Sequence, residues 1–515
     1  MAPECLGAHL RRIRPGAIVA SWTHKPRQAR GDHISQAVCP QGDNASRGRN
    51  TGSDSNQPAG ERQLEIFLLV IASILLLGGG WGVVLLLLPR SGTVGIEEVV
   101  ALSVLLGAGF VSLGLFFLGF LVHGPALQAL LSVVCVLLAV AGSRRVGNQG
   151  IQIRPLAVTS AAAGTLVLLT ATVGLVTWFT FRQSLGWDGL FIWEFKARLA
   201  ATSGGSIPQA YYQDPARSWS HQDYPLLLPL SEAWFYIWLG RPHQHLVKIL
   251  FPLFYVAMIG LLVRGAPAFG GCRRQGVIAA ALVFAVPSVV LGEGASSGYA
   301  DFPLGVFYLA TVLYAAEYVR TGERDYLPVI GALAACILWV KQEGMILAPC
   351  VFLAALPRIL RDGGWKSLVT LVLPGWLLVV CWEVYLRNAG VQRGLNFMEV
   401  TPANVWNHLD RIPDVANWMA KEVLNWNAWG ILWPAFLLAL VLPDSKTRGS
   451  ARLLLAFVIL VPLIAYMGSY VLSSWDPFLD HVKYSLPRLM LHVTPLALLF
   501  VATSLPHRLM RCVHV

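Results

Sequence analysis

From Glu65 onward the chain alternates long apolar runs with shorter polar segments. A helix needs about 20 mostly apolar residues to cross the hydrocarbon core of a bilayer. By that measure the sequence predicts about 13 spans, at residues 65–89, 98–122, 125–142, 156–181, 247–264, 276–292, 301–319, 327–340, 345–357, 367–386, 429–443, 453–473 and 487–504. This pattern predicts an all-α integral membrane protein, with a bundle of transmembrane helices.

Two long polar segments, 182–246 and 387–428, interrupt the series of spans. The first contains an apolar stretch at 224–240 that is short for a span. Counting it as a crossing would place every later basic loop on the outer side of the membrane, opposite the basic loops before it. We therefore predict that it is a re-entrant or surface-lying amphipathic segment, and that segment 182–246 contains juxtamembrane helices.

Arginine and lysine recur in every second short loop after the third span. If segment 182–246 faces outward, the loops that contain Arg144, Arg273, Arg361 and Arg448 face the cytoplasm, as the positive-inside rule requires. Four spans then precede that segment and place the N-terminus outside, although the tail is rich in arginine. The side of the N-terminus therefore stays open.

Residues 1–64 have a different composition from the rest of the chain. The stretch is rich in Arg, Ser and Gly, and it lacks the apolar periodicity that would offset the entropy of ordering. We predict a disordered tail, which is either dispensable or the product of an overextended start. The predicted organisation is this tail, N-terminal spans at 65–155, and a main domain at 156–515.

Composition agrees with a polytopic membrane protein rather than a set of soluble domains. Hydrophobic residues make up 55% of the 515 positions and charged residues 13%, and the mean hydropathy is +0.58. The formal charge of +11 is explained by basic loops that set topology, so the lipid bilayer is an expected partner and nucleic acid is not.

Ionisable groups gather in segment 182–246, next to apolar spans. A charged residue at the centre of a membrane helix costs about 2.5 to 3.5 kcal/mol on insertion scales, so such a cluster predicts a functional site. In the predicted topology most carboxylates face outward, which favours chemistry at the outer membrane face.

Five short motifs follow one another along the chain: GWDG at 186–189, HQDYPLLLPL at 221–230, GYADFPL at 298–304, WVKQEG at 339–344 and PRLMLHVTP at 487–495. Their order resembles that in polytopic bacterial glycosyltransferases of the GT-C fold, relatives of protein O-mannosyltransferases and the lipid A aminoarabinose transferase. The resemblance covers about residues 156–504. One departure is Asp223, where relatives often have a basic residue before the proline, which puts contacts to the acceptor in doubt.

The resemblance implies an inverting glycosyltransferase with a GT-C-type helix bundle and a large first extracytoplasmic loop. Such an enzyme transfers a sugar from a polyprenyl-phosphate-linked donor to a glycan, lipid or protein acceptor, at the periplasmic face of a bacterial inner membrane. Two alternatives stay open: a transporter or flippase for a lipid-linked sugar, and an enzyme similar to an O-antigen ligase or polymerase. A transporter would be expected to place charges near the bilayer midplane rather than at one face.

Sugar transfer to a hydroxyl needs a base near the nucleophile and a cationic group that stabilises the departing phosphate. The catalytic candidates are Asp188 and Asp301, each of which has a structural alternative as a helix cap. The candidates for binding the donor phosphate are Lys341, Arg488 and Lys196.

The remaining polar and aromatic residues of the motifs are predicted to bind substrate: Glu194, His221, Asp223, Tyr224 and Tyr299. A plain ion pair between Glu194 and Arg198, four residues apart, is an alternative for the first of them. No cofactor is expected. A divalent metal has no support from spacing, because His221 and Asp223 lack a third ligand placed by the sequence.

Overall fold

The computed structural model describes residues 59–89, 92–149, 151–155, 160–362, 364–391, 396–442 and 449–505. Most of the predicted disordered tail, residues 1–58, lies outside this part of the chain. The last six residues assigned to the tail, 59–64, belong to the first helix.

Four helices and a two-stranded sheet precede the first long polar segment. The two strands pair in parallel, with Gly92 opposite Ile151, and they join the loop before the second helix to the loop before the fourth. These elements are α1 (Ala59–Leu87), β1 (Gly92–Gly95), α2 (Ile96–Leu118), α3 (Pro125–Gln149), β2 (Ile151–Arg154) and α4 (Ser160–Arg182).

Glycines let α1 and α2 approach closely. A Cβ atom on Gly80 would lie 1.9 Å from the carbonyl oxygen of Ser103, and one on Gly107 would lie 2.3 Å from that of Leu76. Larger side chains are therefore excluded at this crossing. Small residues at helix contacts are typical of membrane bundles.

Segment 182–246 forms several short helices, as predicted. They are a π-helical turn (Gly189–Glu194), α5 (Phe195–Thr202), α6 (Gln209–Tyr212), a 3₁₀ turn (Pro215–Ser220) and α7 (Leu227–Leu239). α7 has 13 residues, so it is about 20 Å long and too short to cross a bilayer. It packs against α1, α2 and α5 and is mostly buried, so it is part of the packed bundle rather than an exposed helix.

The rest of the bundle begins with the 3₁₀ turn Leu246–Ile249 and ends with a long helix, Phe478–Ser504. In chain order the helices are α8 (Leu250–Gly265), α9 (Arg273–Leu282), α10 (Pro287–Val290), α11 (Asp301–Thr321), α12 (Leu327–Val340), α13 (Gly344–Arg361), α14 (Trp365–Ala389), α15 (Pro402–Asn407), α16 (Ile412–Val423), α17 (Trp426–Trp429), α18 (Leu432–Val441), α19 (Gly449–Val471) and α20 (Phe478–Ser504). Short 3₁₀ turns occupy Ala266–Phe269, Val283–Ala285, Arg324–Tyr326 and Leu409–Arg411.

In the described part of the chain, ten helices are long and apolar enough to cross a membrane. The protein is therefore a multi-pass, helical membrane protein. The other three predicted spans, 276–292, 327–340 and 429–443, contain shorter helices. The first is divided before Pro287 into α9 and α10, α12 has 14 residues, and α18 has ten and begins after Gly430.

A cluster of charged side chains lies at the end of the bundle opposite Asp301. There Arg264 of α8 bonds Glu98 of α2 at 3.0 Å and Glu317 of α11 at 2.8 Å. Glu317 lies about 24 Å along α11 from Asp301, at 1.5 Å per residue. Each end therefore has its own polar network, with apolar helix between them.

Segment 387–428 contains α16, which has one apolar face. Val415 is its buried residue, and the helix packs against α19 and α20. Most of its other side chains are exposed. α16 is therefore an amphipathic helix on the outside of the bundle.

Candidate functional site

A cavity of about 750 Å³ opens at one end of the bundle. Its walls come from the loops after α4, before α11 and between α12 and α13, and from the facing ends of α19 and α20. The polar and aromatic lining residues are Trp187, Asp188, Trp219, His221, Asp223, Tyr224, Glu293, Tyr299, Lys341, Gln342, Glu343, Asn396, Phe397, Tyr466, Ser469, Tyr470, Trp475, His481, Tyr484, Ser485 and Arg488.

Asp188 and Arg488 meet at this cavity although 300 positions separate them. Asp188 directly precedes the π-helical turn, and its side chain makes no hydrogen bond that caps that turn. Its carboxylate instead accepts a hydrogen bond from the guanidinium of Arg488, which also lies over the ring of Tyr299 at 5.6 Å. The helix-cap alternative for Asp188 is therefore not what the structure contains.

Lys341 lies in the turn between α12 and α13, with 3% of its side chain exposed. Its Nζ is 2.7 Å from Asp301 Oδ1 and 2.8 Å from Glu343 Oε1. Burial alone would favour the neutral amine, but the two carboxylates outweigh it and raise the pKa of Lys341. The cavity therefore has a second permanent cation.

Asp301 is fully buried beneath Lys341 and does not line the cavity. Its Oδ1 accepts hydrogen bonds from Lys341 and from His492 Nε2, at 2.9 Å, and the other nitrogen of His492 lies 3.0 Å from the hydroxyl of Tyr466. Asp301 also starts α11 without capping it, since the N-cap residue is Ala300. Its placement favours a role in positioning Lys341 over the direct catalytic role that we predicted.

His221 and Tyr224 form one wall, with their rings stacked 4.4 Å apart. Lys196 lies behind them, fully buried, and its Nζ donates to the carbonyl oxygen of His221 at 2.5 Å. Burial lowers the pKa of Lys196 to about 7, against the opposing charge of Asp223. Lys196 does not line the cavity, so it supports the wall and is not placed to bind a donor phosphate.

Asp223 joins the first polar segment to the turn after α12. Its Oδ2 accepts a hydrogen bond from Gln342 Nε2 at 2.8 Å, and its carbonyl oxygen accepts one from Trp382 Nε1 at 3.4 Å. The side chain lines the cavity. Asp223 is therefore one of the predicted substrate-binding residues that the structure places in the cavity wall.

Glu194 lies away from the cavity. Its carboxylate bonds Arg198 at 2.9 Å and the hydroxyl of Tyr236 at 2.8 Å. This is the ion pair that the spacing allowed as an alternative. The residue ties the π-helical turn to α7 and has no direct route to a substrate in the cavity.

Glu293 lines the cavity, although sequence analysis did not select it. Burial raises its pKa to about 7, and the charge of Arg488 partly offsets that effect. The signal in the sequence was an acid between Gly292 and Gly294, a few residues before the GYAD motif. An acid between two glycines does not by itself mark a functional residue, so the position of Glu293 in the cavity is seen only in the folded structure.

At the mouth of the cavity, backbone contacts join two segments of the chain, and apolar side chains are exposed beside them. Met398 donates its amide to the carbonyl of Leu472 at 2.7 Å, and Phe397 pairs with Ser473 in an isolated bridge. At the rim, apolar side chains are largely exposed, including Met345 and Val400. The cavity is thus lined by both charged and apolar side chains.

Across the described ranges, no group of three or more His, Cys, Asp or Glu side chains is arranged to hold a metal ion. Comparisons with known proteins add no family: no family model matches the chain, and no curated protein matches it. The function must therefore be argued from the cavity.

Proposed function

We propose that this protein is a GT-C-type membrane glycosyltransferase that uses a polyprenyl-phosphate-linked sugar donor. One observation carries the proposal: a single cavity places two cations, Arg488 and Lys341, beside carboxylates and next to an exposed apolar rim. A lipid-linked sugar phosphate has the matching parts, namely an anion, a polar sugar and an isoprenoid chain.

The two cations would bind the donor phosphate and stabilise the charge that develops on it as the sugar leaves. Arg488 can make two parallel hydrogen bonds to a phosphate, and its Nε has no hydrogen-bond partner among the described residues. Lys341 contributes a point charge held in place by Asp301 and Glu343. Trp187 and Trp219 offer exposed faces on which a sugar can stack.

The orientation follows from charge. The end opposite the cavity carries Arg264, Arg273, Arg320 and Arg358, at helix ends or in short loops. By the positive-inside rule that end faces the cytoplasm. The cavity then faces the exterior of a bacterial inner membrane, where the acceptor would be a glycan, a lipid or a protein.

A GT-C arrangement of about 13 crossings needs three more than the ten long helices. Segments 276–292, 327–340 and 429–443 would supply them as crossings built from shorter helices, which surrounding helices shield from lipid. α12 supports this, because it packs against α11 and α14 and is mostly buried.

Loss of the gene tests the function in cells. Mass spectrometry of cell-envelope glycans, glycolipids and glycoproteins should show one sugar missing from one acceptor in the deletion strain, and restored by the wild-type gene. Loss of that sugar together with accumulation of the lipid-linked donor at the cytoplasmic face only would favour the flippase alternative instead, and an unchanged envelope would contradict the proposed function.

A further inference from the structure

Four carboxylates line the cavity: Asp188, Asp223, Glu293 and Glu343. Three of them already have a partner: Asp188 pairs with Arg488, Asp223 with Gln342 and Glu343 with Lys341. Glu293 makes no hydrogen bond or ion pair within the described ranges of the chain.

We infer that Glu293, rather than Asp188, accepts the proton from the acceptor hydroxyl during sugar transfer. The inference rests on the proposed function and names a further catalytic residue for it. Asp188 then acts as a positioning residue that orients Arg488 through their ion pair.

The loop that carries Glu293 is fixed to the loop that carries Asp188. The amide of Gly186 donates to the carbonyl of Ser297 at 2.8 Å, and Ser296 Oγ donates to the Gln183 side chain at 2.8 Å. A Cβ on Gly189 would lie 2.6 Å from the Ser297 carbonyl oxygen, so the two loops touch without intervening side chains. Glu293 is therefore presented from a supported backbone, as a proton-transfer group requires.

The charges around Glu293 suit proton transfer near neutral pH. The charged groups that act on it are Arg488, Asp301, Asp188 and Lys341. Burial raises the pKa of Glu293 to about 7, with the cations Arg488 and Lys341 opposing the shift and the two carboxylates adding to it. A base is most effective when its pKa lies near the working pH.

The step balances without any further reactant. The acceptor oxygen forms a bond to the anomeric carbon, while the bond from that carbon to the phosphate oxygen breaks and its electron pair stays on the phosphate. The hydroxyl proton passes to the carboxylate of Glu293. Arg488 and Lys341 stabilise the lipid phosphate that leaves, and Glu293 later releases its proton to water.

The test compares Glu293→Gln with wild-type protein in liposomes, supplied with radiolabelled undecaprenyl-phosphate sugars and a cell-envelope acceptor fraction. Turnover should fall by about 10² to 10⁴. In the wild type, turnover should decline as the pH falls through about 7, because the base becomes protonated; Glu293→Gln should lack this decline. Binding of undecaprenyl phosphate alone should be unchanged.

Two further variants separate catalysis from structure. Glu293→Asp keeps a carboxylate and should retain the decline at acidic pH with reduced turnover, and exposed Glu61→Gln should match the wild type. If Glu293→Gln kept the turnover and pH profile of the wild type, the inference about Glu293 would be wrong and the proposed function would stand. A wild-type protein that transfers no sugar would overturn the proposed function, and the inference with it.

Discussion

The buried pair between Lys341 and Asp301 allows a quantitative test of how the site is supported. The side chains are 3% and 0% exposed, so neither charge is solvated if its partner is lost. Removing one partner of a buried ion pair costs about 3 to 5 kcal/mol, because it leaves an uncompensated charge. We therefore expect Lys341→Met to lower the free energy of unfolding by that amount.

Asp301→Asn should cost less, about 1 to 3 kcal/mol. The amide still accepts a hydrogen bond, and Lys341 keeps its contact with Glu343 at 2.8 Å. The double variant replaces both charges with neutral groups, so its cost should be smaller than the sum of the single costs by about 0.5 to 3 kcal/mol.

The assay is equilibrium unfolding of each purified variant in mixed micelles. Lys366→Met, at an exposed position, is the matched control and should change the free energy of unfolding by less than about 0.5 kcal/mol. Additive costs in the double variant, or a cost for Lys341→Met equal to that of the control, would refute the coupling between these two residues.

Three other outcomes follow from the structure and the charge pattern. Arg488→Lys should raise the Kd for undecaprenyl phosphate about 10- to 100-fold, through loss of a charged hydrogen bond; an unchanged Kd would remove Arg488 from the phosphate site. A cysteine at Asn407 should react with an impermeant maleimide in intact cells and one at Arg361 should not, whereas the reverse would invert the topology. Removal of residues 1–58 should leave membrane insertion intact, and loss of stable protein would contradict this.

Hydropathy predicted the helical membrane class and most long helices, because apolar length is a direct requirement of the bilayer. It did not distinguish long continuous helices from apolar runs that contain a break. The run 276–292 has Pro287 inside it, and the run 429–443 contains Gly430 with a φ of +54°. Both residues lie at breaks between helices, while each run as a whole stays apolar.

The site was predicted in part, because its motifs lie in loops that the fold brings to one end. Asp188, Lys341 and Arg488 do line the same cavity. Sequence spacing could not show that Asp301 is beneath the cavity, since its partners Lys341 and His492 are 40 and 191 positions away. Nor could it show that Glu293 lacks a partner, which depends on the contacts of its neighbours.

Sugar transfer by the purified protein tests the central claim most directly. Wild-type protein in liposomes would receive an undecaprenyl-phosphate sugar labelled in the sugar, together with an envelope acceptor fraction on the cavity side. The account predicts that label moves covalently to the acceptor and that unlabelled undecaprenyl phosphate accumulates in step with it. Movement of the intact labelled lipid across the bilayer, with no label on any acceptor, would contradict the account and assign the cavity to transport.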